Sequence, residues 1–177
     1  MSEQRISHPC PCEGDVPDGA PGAVADTEWV IRHIPVSQWL MPNGQLSASA
    51  LPRDELRGVK GKSVSVLRGM TPPDEVTRRG TALNKEPAWA SDPVIARAPV
   101  LALRRIMDKE QRREICVNAD PVETPLGFCT IHASVLRAFP PLDLKQLMEW
   151  ATLREKLADA FAGISHYSGK PIATPFF

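Results

Sequence analysis

Polar and apolar residues alternate most cleanly near the C-terminal third of the chain, in Gly127-Phe128-Cys129-Thr130-Ile131-His132-Ala133-Ser134-Val135-Leu136. A two-residue period predicts a strand, with Cys129, Ile131, Ala133 and Val135 on one side and Phe128, Thr130, His132 and Ser134 on the other. His132 then stands between two hydroxyls on the polar side. Two further strands are expected. Thr27 to Ile34 is rich in β-branched and aromatic residues and is stopped by Pro35, and Ser63-Val64-Ser65-Val66-Leu67 alternates with Val64 and Val66 inward.

Helical patterns are fewer. Thr71-Pro72-Pro73-Asp74-Glu75 has the marks of a helix start, with Thr71 as N-cap, proline in the first turn, and acids where the helix dipole favours them. Gly80 is the expected stop. A longer helix is expected from Leu144 to Ala162, capped by Asp143 with Gln146 three residues on and ended by Gly163. Leu144, Leu147, Met148, Trp150, Ala151, Leu153, Leu157 and Phe161 form its apolar face. The stretch 99–118 admits two readings, a hairpin turning at Asp108-Lys109-Glu110-Gln111 or a helix over its first half, and the strand-rich surroundings favour the hairpin.

Between these elements, Trp39-Leu40-Met41 supplies core anchors, Pro42-Asn43-Gly44 reads as a turn, and Gly58 and Gly61 bracket another. Residues 1–25 are polar, acidic and rich in proline and glycine, too poor in apolar surface to offset the entropy of ordering, so a mobile N-terminal tail is expected. The remainder divides into one domain over residues 26–167 and a C-terminal tail over residues 168–177. The expected fold class is α+β, a single domain with a twisted, mostly antiparallel sheet packed against one main C-terminal helix.

Composition narrows this little. The chain has 177 residues, enough for one core, with 42% hydrophobic and 24% charged residues. Its 18 prolines favour short elements over long bundle helices. No apolar run marks a leader or a membrane span, so a soluble, cytoplasmic protein with reduced cysteines is expected. Lysines and arginines number 21 and acids 21, but unevenly: residues 1–52 carry 2 basic and 6 acidic groups, residues 53–113 carry 14 and 8, and residues 114–177 carry 5 and 7. The basic middle, with Arg53, Arg57, Lys60, Lys62, Arg68, Arg78 and Arg79, reads first as a solvated surface and second as a contact for nucleic acid or another polyanion.

Chemistry is sparse. His8, Cys10, Cys12, Cys129 and His132 include zinc-ligand types, but Cys-Pro-Cys is not the usual knuckle spacing. An unbroken strand would also turn Cys129 and His132 to opposite faces. No metal and no cofactor is expected. Phosphate-cradling and nucleophile-elbow motifs are missing, and Gly58-Val59-Lys60-Gly61-Lys62-Ser63 only ends like a P-loop. What remains is histidine: His132 and His33 as acid-base residues, with Arg32, Thr130 and Ser134 placed to bind substrate if the two strands are neighbours.

Two function classes follow. The first is a small interaction or accessory protein that binds a protein partner through loops and tails. The second is a histidine-dependent enzyme acting on a phosphate-bearing or nucleotide substrate. With no catalytic set complete in the sequence, the first is favoured.

Overall fold

The β-branched runs become strands, and the strands close into one antiparallel sheet. A computed structural model describes residues 13–34, 41, 43–51, 63–83, 94–138 and 147–167. Its elements are β1 (Trp29–His33), β2 (Val64–Arg68), α1 (Pro73–Leu83), β3 (Val94–Pro99), α2 (Val100–Arg104), β4 (Ile115–Ala119), β5 (Val122–Thr124), β6 (Gly127–Cys129), β7 (His132–Arg137), α3 (Leu147–Ala160) and β8 (Gly163–His166). Six strands form the main sheet in the order β4-β7-β2-β1-β3-β8, every neighbouring pair antiparallel, while β5 and β6 form a separate hairpin. The fold is therefore a single α+β domain.

Because side chains alternate across each strand, the sheet has two different faces. One carries Val30, Val64, Val66, Ala96, Ala98, Val117, Ala133 and Val135 and is closed by Trp150, Leu153, Leu157 and Phe161 of the α3 region. Leu157 and Phe161 are fully buried, and each such side chain contributes roughly 1.5–3 kcal/mol through removal from water. The opposite face holds a smaller cluster of Ile31, Leu67 and Ile95 under Val76 of α1 and Cys129 of β6.

Several expectations change on this frame. The run from Gly127 to Leu136 is not one strand. It is broken by a turn at Thr130 and Ile131, so Cys129 and Ile131 join the smaller cluster while Ala133 and Val135 enter the main core. Thr71 does not cap α1, since its hydroxyl donates to the Arg68 carbonyl at 2.5 Å, and the helix begins at Pro73. Gly80 does not stop α1. It is buried, and the helix runs on to Leu83 because packing outweighs a penalty of ~1 kcal/mol for one glycine. In 99–118 the first half is the short helix α2 and the second half is β4, joined by a tight loop with a single bridge between Met107 and Arg113. On α3, Met148 and Ala151 face solvent, whereas Trp150, Leu153 and Leu157 face the core as expected. Asp143, Leu144 and Gln146 lie outside the described residues, as do Trp39, Leu40, Gly58, Gly61 and the C-terminal segment.

Residues 13–28, most of them assigned by composition to a mobile tail, lie along the sheet. Two buried arginines hold them. Arg104 donates to Glu13, to Asp26 and to the carbonyl of Val24, and Arg68 donates to both Glu28 carboxylate oxygens and to the carbonyls of Gly22 and Ala23. Glu13 also accepts from Arg113 and from the Val117 amide. Composition counted the missing apolar surface and could not count these pairings. Part of the basic middle is thus spent on the acidic N-terminal stretch, and Arg68 and Arg79 are buried. Arg53, Arg57, Lys60 and Lys62 lie outside the described residues.

Candidate functional site

Where the smaller apolar cluster ends, the second face of the sheet turns polar. Ser65 on β2 pairs in register with Ser134 on β7, which pairs with Asn118 on β4; one step along, Leu67 pairs with His132. Alternation sends all of these side chains to the face away from the main core. Ser63 extends the patch, its hydroxyl 2.6 Å from that of Ser134.

His132 is the hub. Its Nδ1 lies 2.6 Å from the backbone carbonyl oxygen of Asp120, an atom that can only accept, so Nδ1 carries the proton. Nε2 is then the free lone pair, and it meets the Ser65 hydroxyl at 2.5 Å. The Asp120 carboxylate stands 3.8 Å from Nδ1 and accepts from the Ser134 hydroxyl, which fixes its orientation. Burial lowers the His132 pKa below 6.5, against the opposing pull of the Asp120 carbonyl bond and charge, while the Arg79 cation adds to the lowering. The imidazole is therefore neutral near pH 7. Ser65, by contrast, is exposed.

Local sequence explains this placement. β2 needs small or β-branched residues to sit in a central strand, and Ser-Val-Ser-Val satisfies that with valines on the core side. β4 pairs with β7 as far as Ala119 opposite Ala133, and the next step of that ladder sets Asp120 against His132, the Asp120 amide donating to the His132 carbonyl at 3.1 Å. That bond and the Nδ1 bond tie the same two residues twice.

The other expected site residues separate. His33 is on the same face as Ser65, but its Nε2 donates to the Val76 carbonyl at 2.8 Å, which ties β1 to α1; burial lowers its pKa as well. Arg32 points to the opposite face, where Nη2 donates to the Ala50 carbonyl at 2.9 Å beneath the main core. Thr130 is exposed in the turn before β7. Of the five residues named from sequence, His132 and Ser134 come together, and the structure adds Ser65, Asp120, Ser63 and Asn118. Ser65 had a signal in the Ser-Val-Ser-Val alternation. Asp120 had none, being brought in by the pairing of β4 with β7 and not by local spacing.

Asn118 Oδ1 is buried with no hydrogen-bond partner among the described residues. No group of three histidine, cysteine or acidic side chains among the described residues is placed to hold a metal. Cys129 is free and buried, and burial raises its pKa, which makes it a poor nucleophile. Cys116 departs from the expected reduced state: it is disulfide-bonded, to a partner outside the described residues. No described helix is long and apolar enough to cross a membrane. Comparison with known protein families, with curated proteins and with solved structures gives no match.

Proposed function

We propose that the chain is a histidine-dependent enzyme in which Ser65 is the nucleophile, His132 its general base and Asp120 the group that orients the base. The observation that carries this reading is the Ser65 to His132 contact at 2.5 Å in the tautomer a base requires, with Nδ1 protonated and Nε2 free. The reaction class is acyl transfer. Ser65 Oγ bonds to a substrate carbonyl carbon as its proton passes to Nε2, the leaving group departs with that proton, and water then releases the acyl group by the same route. Asp120 stabilises the imidazolium that forms between the two transfers.

This reading favours a histidine-dependent enzyme over an interaction protein, with acyl transfer in place of the phosphate-bearing or nucleotide substrate expected from the sequence. Binding of a protein partner through loops and tails draws support from few described residues, since both chain ends and several loops lie outside them. The expected cytoplasmic location sits poorly with a disulfide at Cys116, a bond more at home in an oxidising compartment.

The test needs no substrate. A fluorophosphonate probe should phosphonylate one residue of the native protein, located at Ser65 by peptide mass, and Ser65→Ala should abolish the adduct. His132→Gln should slow labelling at least about a hundredfold with the fold retained by circular dichroism. An unlabelled wild type beside a labelled serine hydrolase, or equal labelling of His132→Gln, overturns the proposal.

A further inference from the structure

One residue near this site has a charge that the mechanism above does not use. Arg79 lies on α1 one turn beyond Val76, whose carbonyl holds His33, so its side chain leaves the same side of the helix. The residue is only 6% exposed. Its Nε donates to Glu75 at 2.5 Å and its Nη1 to the Thr124 hydroxyl at 3.1 Å, which leaves Nη2 without a protein partner among the described residues.

Glu75 does not neutralise this arginine alone. The same carboxylate receives Arg78 through Nε at 2.8 Å and Nη2 at 2.9 Å, and Arg78 is half exposed while Arg79 is not. Arg79 therefore shares its carboxylate partner with a second guanidinium, and Asp74 offsets part of the pair's charge from the side of Arg78. Burial is the main cause of the low pKa at His33 and His132, and the Arg79 charge adds to the lowering at both. Through Val76 and Thr124, Arg79 packs on the sheet face that carries Ser65 and His132, and a buried cation with a free N–H on that face is suited to holding an oxyanion.

We infer that Arg79 is the anion-binding residue of this site, and that the group it takes is a substrate carboxylate or phosphate lying next to the bond that Ser65 attacks. This rests on the Ser65 reading for the word substrate, but the anion site itself does not. Arg79 fills the role that the sequence suggested for Arg32, which faces the other side of the sheet. Glu75 and Thr124 are positioning residues, holding the guanidinium through Nε and Nη1.

Inorganic phosphate is the probe. Titrated into the full-length protein and followed by proton NMR, it should move the ring signals of His132 and His33 with one saturable affinity and raise both histidine pKa values, because a bound anion offsets Arg79. Glu75→Gln, which releases Arg79 from its carboxylate, should tighten phosphate at least about threefold. Arg79→Gln should abolish the saturable shifts while Ser65→Ala keeps them. Succinate in place of phosphate tells the two ligand sources apart, the tighter anion naming the substrate group. Absence of saturable shifts in the folded wild type, equal shifts in a folded Arg79→Gln, or weaker binding in Glu75→Gln overturns the assignment. If phosphate binds as stated but Ser65 takes no fluorophosphonate, the anion site stands and the nucleophile falls; should Arg79→Gln not fold, Glu75→Gln decides alone.

Discussion

The two faces of the sheet are built from the same strands and obey the same alternation, yet they are put to different uses. One is mostly valine and alanine, sealed by α3. The other is apolar only beneath α1 and then gives way to serines, an asparagine and a histidine whose hydrogen bonds run from strand to strand. A central strand such as β2 serves both, with Val64 and Val66 turned to the core and Ser65 turned to the site. The rigidity of the first face fixes the geometry of the second: Ser65 and His132 hold their separation because the pair between them, Val66 and Ala133, is clamped in the core.

That division makes distinct demands on mutants of the two faces. The largest stability loss belongs to the core. Leu157→Ala removes a fully buried side chain and should cost ~2–5 kcal/mol in denaturant unfolding, whereas Met148→Ala on the same helix, at 85% exposure, should change stability by less than about 0.5 kcal/mol. Equal effects would place α3 on the wrong side. Next comes the segment that joins the two: Glu13→Ala deprives Arg104, Arg113 and the Val117 amide of one acceptor, and a loss of ~1–3 kcal/mol is expected by thermal melting. Deletion of residues 1–25 should destabilise at least as much. A truncated protein as stable as the whole would mean the contacts along residues 13–28 are idle.

The smallest effect is specific to the second face. His33 and His132 have folded pKa values below the 6.5 of a free histidine, so the unfolded chain binds more protons than the folded one. Their contribution is therefore complete above pH 6.5 and is lost as pH falls below it toward the folded values. Thermal stability should decline over that range, and His132→Gln should flatten part of the decline. A melting temperature that rises on acidification through this window contradicts the burial assigned to both rings.

The first face was nearly legible in the sequence, and the second was legible by halves. Val64 and Val66 of β2, Ala133 and Val135 of β7, and Trp150, Leu153 and Leu157 at helical spacing follow from period alone, because burial and periodicity are the same physical fact. His132 and Ser134 were visible as polar breaks in an apolar run. Asp120 and Arg79 were not, since the pairing of β4 with β7 places the first and the packing of α1 on the second face places the second, and neither leaves a mark in local spacing. Arg32 misled because an arginine beside a histidine suggests a shared site, whereas adjacent residues of a strand point to opposite faces. Gly80 misled because propensity for a helix stop is weaker than the packing of α1 on the sheet.

Whether His132 removes the proton of Ser65 is measured most directly by the pH dependence of the fluorophosphonate labelling rate. With a neutral, buried base the rate should rise through a single ionisation below pH 6.5, matching the His132 pKa read from its own NMR titration, and then stay level. A rate that is flat across that ionisation and climbs only in alkali, in wild type and His132→Gln alike, would show a serine that no histidine activates.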